Sequence, residues 1–263
     1  YGKTAPCTTI IIKKKIKEVF YSINDIDQRV SGKSYNILSS KKIKEKIGLL
    51  KNEAKDLYKP YFINRKKNIP FVTAKIATTR NNLIYIKGVK RITDETTDKF
   101  SHFLRYKNDA IMITSKTLNT DNPKLNCRIK GYETSSPKRI ILDKNLDIKL
   151  TSYIFKTSKK NNTIIFHNTS QKKKIYLLKK KGVILLKSKL DNHMHFDLKE
   201  VLKKLYKLGI RNLLVEGGDK LTKDMLYNRL IDKFYLFKSP KDLSKNKKFV
   251  FFTSNNILKN KYK

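Results

Sequence analysis

The chain has 263 residues, of which 39% are hydrophobic, enough for one large domain or two ordinary domains with hydrophobic cores. Its formal net charge is +39, and the excess is nearly all lysine, spread along the whole chain. Since no apolar run approaches the roughly 18 residues of a membrane helix, the sequence argues against an integral membrane protein.

The strong positive charge suits a protein that binds nucleic acid. However, arginine, the residue that most often contacts base edges, is scarce beside lysine. The lysine runs 13–15, 172–174 and 179–181 are typical of solvated helix faces or loops. We therefore expect weak, salt-dependent binding to RNA and no specific nucleic-acid partner, with a basic RNA-binding protein kept as an alternative.

The two cysteines, Cys7 and Cys127, are too few for a disulfide framework. Residue 1 is a tyrosine, and no hydrophobic signal segment follows it. Because disulfide-poor chains are typical of reducing compartments, we expect a cytoplasmic protein.

The first quarter of the chain predicts a small α/β unit. Pro60 should stop or kink a helix that begins near residue 52. Residues 64–68 form a charged linker in this interpretation, which puts a domain boundary near residue 66. The predicted elements are helices over residues 8–15, 34–38 and 52–59 and strands over residues 18–23 and 43–49, with Ile10, Ile11 and Ile12 buried in the first helix.

The rest of the chain alternates strands with helices, which predicts an α/β fold with a mostly parallel central sheet. Thr93 is a good N-cap for a helix that runs to about Tyr106, and Gly209 ends a later amphipathic helix. The predicted strands cover residues 70–77, 110–114, 138–143, 163–167 and 182–186, and residues 117–125 form a loop too polar for the core. The first of these helices should bury Phe100, Phe103 and Leu104, and the second Leu198, Val201, Leu202, Leu205 and Leu208.

The segment 213–222 carries the clearest site signal. A short buried strand ends in the carboxylate of Glu216, two glycines follow, and a helix begins near Asp219. Gly217 and Gly218 allow a positive φ and let a ligand approach the backbone. A helix N-terminus after a glycine turn favours phosphate binding, although the segment lacks the G-x-G-x-x-G fingerprint and a plain tight connection gives the same pattern. Residues 230–237 predict one more strand.

Several ordered blocks resemble the reductase domain of the bifunctional riboflavin-biosynthesis deaminase/reductase family. They are Leu213-Leu-Val-Glu-Gly-Gly218 with Leu230-Ile-Asp-Lys-Phe234, Pro70-Phe-Val-Thr-Ala-Lys-Ile-Ala77, residues 103–111 and 117–128, and Arg139-Ile-Ile-Leu-Asp143. The resemblance implies a dihydrofolate-reductase-like domain over residues 67–263. It also implies a possible homodimer.

Tyr1-Gly-Lys-Thr-Ala-Pro-Cys7 is similar to the end of that family's zinc-deaminase signature. Cys7 matches the second zinc-ligating cysteine, and the histidine, glutamate and first cysteine would lie before residue 1. Residues 1–66 are therefore interpreted as the C-terminal half of a cytidine-deaminase-like α/β domain. Zinc and deaminase (hydrolase) activity are expected of the full-length family protein and not of this chain.

The resemblance implies an NADPH-dependent oxidoreductase of riboflavin biosynthesis. Its substrate would be the phosphorylated pyrimidine 5-amino-6-(5-phosphoribosylamino)uracil, whose ribosyl group is reduced to a ribityl chain. Asp121 and Glu216 are the expected catalytic residues. A pteridine reductase, such as one acting on dihydrofolate, is the alternative within the same fold.

The resemblance also implies binding residues. Where the family often has a tryptophan and two serines, this chain has Arg91, Val89 and Lys144, which changes those contacts. Arg105 and Arg128 are the expected cations for the substrate phosphate. The cofactor residues are Ala77, Arg91, Thr117, Asp121, Lys144, Gly218, Asp219, Lys220, Leu221, Thr222, Lys223 and Asp224, and the substrate residues are Val89, Arg105, Leu125, Arg128 and Glu216.

Overall fold

A computed structural model describes residues 5–27, 31–86, 92–160, 162–242 and 249–261. The chain divides into two compact units, residues 1–69 and 70–263. The expectations for Val89 and Arg91 lie outside the described residues.

The first unit contains the two strands and three helices that the sequence predicts, and its two strands pair in parallel. The elements are α1 (Cys7–Lys13), β1 (Glu18–Tyr21), α2 (Lys33–Ser40), β2 (Lys44–Ile47) and α3 (Lys51–Lys67). The predicted burial of α1 is wrong for Ile10, which is exposed, whereas Thr8 is buried.

The predicted stop of the helix at Pro60 and the linker at residues 64–68 are wrong, because α3 continues past Pro60 as far as Lys67. Tyr58 lies before the proline and stacks on Phe62 after it, with ring centroids 6.4 Å apart. Such a contact stabilises a helix across the hydrogen bond that proline removes. The helix ends where Asn68 takes a left-handed conformation and donates to the carbonyl of Asn64.

The second unit is built on a parallel sheet, which confirms the predicted α/β class. Within the described residues, seven strands pair in the order β10-β3-β9-β5-β6-β7-β8, and every pairing is parallel. The strands are β3 (Phe71–Thr78), β5 (Ala110–Thr114), β6 (Lys138–Leu142), β7 (Thr163–His167), β8 (Ile184–Lys187), β9 (Asn212–Val215) and β10 (Lys233–Lys238). A separate antiparallel pair joins β4 (Leu83–Ile86) to β11 (Phe249–Phe251).

Helices connect these strands. They are α4 (Glu95–Lys107), α5 (Ser115–Asp121), α6 (Tyr153–Lys156), α7 (Lys172–Lys180), α8 (Leu198–Lys207), α9 (Asp219–Tyr227) and α10 (Asn255–Lys261), with a short 3-10 turn at Glu133–Ser135. The core cluster contains Ile111 and Ile113 of β5, Ile141 of β6 and Ile165 of β7, all fully buried. Continuous apolar strands of this kind are typical of parallel sheets covered on both faces.

Several local expectations for this unit are wrong. Residues 115–121 form a helix, because the Thr114 side chain accepts from the N–H of Thr117 and caps it. The polar stretch also contributes core residues, since Leu118 and Leu125 are only 0% and 2% exposed. Helix α4 is capped by Asp94, whose carboxylate accepts from Thr97 N at 2.8 Å, and not by Thr93. The predicted burial of Phe103 and of Leu208 also fails, because both side chains are exposed.

The order of the strands determines where a site can form. Strand β9 is late in the chain, yet it lies between β3 and β5. Because all seven strands are parallel, the residues that follow β3, β5 and β9 meet at one edge of the sheet, where open α/β sheets bind ligands.

Candidate active site

Strand register brings Lys75 and Glu216 together. Ala74 of β3 pairs with Val215 of β9, so the next residue on each strand is Lys75 and Glu216. The N–H of Glu216 donates to the carbonyl of Met112 at 3.2 Å and extends the ladder beyond β9. Since side chains alternate along strands, both residues point to the same face of the sheet.

Arg105 of α4 binds Glu216 through two parallel hydrogen bonds. Its Nε lies 3.0 Å from Oε1 and its Nη2 lies 2.8 Å from Oε2, and the two side chains are 13% and 14% exposed. Burial alone would raise the pKa of Glu216, but the charge and hydrogen bonds of Arg105 hold it below its ordinary value. Glu216 is therefore an ionised carboxylate held in a fixed orientation.

Lys75, which the sequence analysis does not place in the site, completes a group of three charged side chains with Glu216 and Arg105. Burial lowers the pKa of Lys75, the charge of Glu216 opposes that change, and Arg105 adds to it. The ammonium group also lies 5.5 Å from the centre of the Phe237 ring. The available signal was one charged residue in a strand whose other residues are uncharged and mostly buried. A partly buried lysine with a lowered pKa is typical of a functional site.

Arg128 reaches the same area through Asn126. The side-chain oxygen of Asn126 accepts from Nη1 of Arg128 at 3.1 Å, and its backbone carbonyl accepts from Nη1 of Arg105 at 3.3 Å. Arg128 is exposed, whereas Arg105 is largely covered. The two arginines predicted for the substrate phosphate are thus neighbours, whereas Leu125 is a core residue.

The glycine turn lies beside Thr117. A Cβ added to Gly218 would be 3.9 Å from Thr117 Oγ1, so these two predicted cofactor residues are close together. The expectation that these glycines adopt a positive φ is wrong. The φ of Gly218 is −70°, and the φ of Gly217 is not positive either. A Cβ at Gly217 would be 2.7 Å from Leu221 Cδ2, so a larger residue there would require the Leu221 side chain to shift.

The first turn of α9 presents backbone donors. Gly218 is its N-cap residue, and among the described residues no side chain caps the helix. The first N–H groups of any helix lack intrahelical acceptors. The carboxylate of Asp219 accepts from the N–H and the hydroxyl of Thr253, at 2.8 and 2.7 Å.

The remaining predicted residues of α9 differ in their access to solvent. Leu221 and Thr222 are buried, Lys223 and Asp224 are half-buried, and Lys220 is exposed. The Thr222 hydroxyl has no hydrogen-bond partner within the described parts of the chain.

Two further predicted residues lie near the same edge of the sheet, and a third lies at the end of a helix that follows β5. Ala77 is close to the end of β3, Lys144 follows β6 by two residues, and Asp121 ends α5. Partial desolvation raises the pKa of Asp121, although solvent reaches this residue. Their predicted roles stay predictions.

Cys7 has a free, exposed thiol in the first unit. Among the residues that the structure describes, no group of three or more histidine, cysteine, aspartate or glutamate side chains could hold a metal ion. The assignment of Cys7 as one zinc ligand stays a prediction from the resemblance. None of the helices in the described ranges combines the length and apolar character of a bilayer span.

Residues 74–261 match the family model of the RibD C-terminal domain. The chain belongs to this family. The RibD proteins of Aquifex aeolicus and Actinobacillus pleuropneumoniae are 32% and 30% identical to it, over 92% of the chain in each case. It spans 66% and 64% of the length of these two relatives.

Solved RibD structures share the fold. Acinetobacter baumannii RibD is 25% identical with a TM-score of 0.78, covering 95% of this chain and 68% of its own. A Thermotoga maritima structure is 28% identical with a TM-score of 0.76, covering 97% of this chain and 68% of its own. That protein is described as a diaminohydroxyphosphoribosylaminopyrimidine deaminase/5-amino-6-(5-phosphoribosylamino)uracil reductase.

Proposed function

We propose that this RibD-family chain catalyses the NADPH-dependent reduction of the ribosyl group of 5-amino-6-(5-phosphoribosylamino)uracil. The observation that carries the proposal is the largely buried group of Lys75, Glu216 and Arg105, at a strand end that continues into an uncapped helix N-terminus. Family membership and the described activity of the Thermotoga maritima protein support it. The deaminase step is not part of the proposal.

The residues beside the glycine turn fit a dinucleotide. Its pyrophosphate is anionic and suits the free N–H groups and positive dipole end of α9. The neighbouring Thr117 supplies a hydroxyl, and Thr222 carries a buried hydroxyl without a partner within the described residues. When bound, NADPH would supply the hydride that reaches the sugar carbon.

The two arginines suit different tasks. Arg105 uses three of the five N–H donors of a guanidinium group on Glu216 and Asn126. It is therefore better suited to orienting Glu216 than to clamping phosphate. Arg128 is exposed and positively charged, so we assign the substrate phosphate to Arg128.

Lys75 is the proposed proton donor. In the reduction, C1′ of the ribosyl group gains a hydride, its bond to the ring oxygen breaks, and the ring oxygen takes up a proton. An ammonium group with a lowered pKa gives up a proton more readily than an ordinary lysine. Glu216 would keep Lys75 charged before the reaction and orient it, and burial would keep bulk water away.

The test is turnover by the purified chain, followed by the loss of NADPH absorbance and by chromatography of the product. The phosphoribosylaminouracil should be consumed, whereas its undeaminated precursor and dihydrofolate should not. A preference for dihydrofolate would favour the pteridine-reductase alternative. If the folded chain shows no saturable binding of NADPH, the proposal is refuted. The homodimer also stays a prediction, which light scattering of the same sample checks.

A further inference from the structure

Helix α4 holds the segment 126–128 through two residues that lie one turn apart. Arg105 Nη1 donates to the carbonyl of Asn126 at 3.3 Å. His102 Nδ1 accepts from the backbone N–H of Arg128 at 3.3 Å, and its carbonyl lies 3.8 Å from the Cys127 thiol. Residues at i and i+3 share one face of a helix, so one face of α4 binds three consecutive residues.

His102 is suited to this contact because it is buried and uncharged. His102 is only 9% exposed, and the charged side chains of Arg105 and Arg128 lie near it. Burial lowers the pKa of His102, and the charges of both arginines lower it further, while a hydrogen bond to the Asn126 backbone and the charge of Glu216 act in the opposite direction. An acceptor role for Nδ1 assigns the ring proton to Nε2.

Protonation of this ring would remove the contact. A charged imidazole carries hydrogen on both nitrogens, so Nδ1 would face the N–H of Arg128 as a second donor. The same change would add a positive charge beside Arg105 and Arg128.

We propose that His102 is a positioning residue, which uses Nδ1 to hold the backbone of Arg128 against α4 and so aims the Arg128 side chain at the phosphate of the substrate. The inference rests on the proposed function, because it assigns the phosphate to Arg128. It gives His102 no contact with substrate or cofactor. The effect should therefore fall on substrate affinity and leave the chemical step largely unchanged.

Two neutral variants separate this role from simple packing. In His102→Asn the amide oxygen lies about as far from Cβ as Nδ1 does, so an acceptor is kept. In His102→Leu the volume is retained but the acceptor is lost, which leaves the Arg128 N–H without this partner. We expect His102→Leu to raise KM for the phosphoribosylaminouracil at least about tenfold, with kcat and KM for NADPH nearly unchanged, and His102→Asn to stay near the parent value.

The pH profile adds a readout that a packing role would not move. For the parent protein, KM for the substrate should rise as pH falls through the lowered pKa of His102, below its ordinary value of 6.5. The His102→Asn profile should lack this component and keep only the titration of the substrate phosphate, whose second pKa is about 6. Equal KM values for both variants, or a parallel fall in kcat and in NADPH affinity, would overturn the proposal.

Hydrogen exchange keeps the test separate from turnover. Loss of one neutral hydrogen bond of about 1 kcal/mol should speed exchange of the Arg128 amide roughly fivefold in His102→Leu and not in His102→Asn. This measurement needs no substrate. If the parent shows no reductase activity, the proposed function fails, and unchanged exchange in His102→Leu rejects the contact itself.

Discussion

Arg105 and Glu216 are 111 residues apart in the sequence and form a two-bond ion pair, with donor–acceptor distances of 3.0 and 2.8 Å. The pair joins helix α4 to the end of β9, and both side chains are largely buried. Removing one partner from such a pair leaves a buried charge without its counterion, which costs more than losing the attraction alone.

We predict that Arg105→Gln and Glu216→Gln each lower the free energy of unfolding by about 3 kcal/mol, measured by urea denaturation. The double variant should lose less than the sum of the two, with a coupling energy of at least about 1 kcal/mol. The exposed pair Glu95–Lys99 is the control, and Glu95→Gln should lower the free energy of unfolding by less than about 1 kcal/mol. Strictly additive losses would mean that the buried pair contributes no interaction of its own.

The pH dependence of the reaction should report Lys75. Because burial lowers its pKa, the ammonium form should be lost as pH rises through a value below the ordinary 10.5, and kcat/KM should fall over the same range. Lys75→Gln should lower kcat by about 10²–10⁴-fold. Lys75→Arg keeps the positive charge and should abolish the alkaline decrease while remaining slow. An alkaline limb that persists in Lys75→Arg would assign the proton to another group.

The same lysine should affect stability with a definite sign. Between its lowered pKa in the folded state and its ordinary value in the unfolded chain, the unfolded chain binds more protons. The free energy of unfolding should therefore rise with pH across this window, relative to Lys75→Gln. Parallel stability curves for the two proteins in alkaline buffer would contradict the burial of the charge.

Gly218 should control cofactor affinity without controlling the fold. Its φ of −70° suits any residue, and a Cβ there meets only the Thr117 hydroxyl, at 3.9 Å, within the described residues. Gly218→Asp adds a negative charge where the proposed pyrophosphate binds, so NADPH affinity should fall at least about tenfold. Gly218→Ala should have a smaller effect, and both variants should melt near the parent temperature. Calorimetric titration measures the affinities, and tight NADPH binding by Gly218→Asp would exclude this helix terminus as the anion site.

Two other glycines give a matched pair for stability. Gly182 and Gly131 both have a positive φ, of 82° and 84°. A Cβ on Gly182 would be 2.9 Å from the backbone nitrogen of Lys160, whereas a Cβ on Gly131 would have no atom of the described residues within 4 Å. Gly131→Ala should cost about 1 kcal/mol from backbone strain alone. Gly182→Ala should cost about 1–3 kcal/mol more, because backbone atoms must shift to relieve the contact, and equal losses in thermal melts would contradict this geometry.

Much of the fold followed from local patterns. The strands near residues 110–114 and 163–167 and the helix that ends before Gly209 agree with the structure, since a short apolar run or an amphipathic stripe permits few alternatives. The errors at Pro60 and at residues 117–125 arose where a contact or a cap outweighed composition. Tyr58 stacks on Phe62 across the proline, and Thr114 caps a helix in a polar stretch.

The candidate site was only partly accessible from sequence. Glu216, Gly218, Thr117, Arg105 and Arg128 could be named from motifs and resemblance, and these residues are neighbours in the fold. Lys75, Asn126 and His102 could not, because each gains its importance from a partner that is distant in the chain. In a sequence with so many lysines, one more lysine in a strand carries little information until its burial is known.

The amino-acid sequence determined the class of the fold, the family and most of the helices and strands, because these depend on periodicity and on short ordered blocks. The tertiary structure decided which charges neutralise one another. Strand β9 inserts between β3 and β5, although it lies far from both strands in the chain. This pairing places Glu216 next to Lys75 and within hydrogen-bond distance of Arg105. The ionisation and orientation of a side chain depend on its burial and on the groups a few ångströms away. The residues that precede and follow it in the chain determine neither of these.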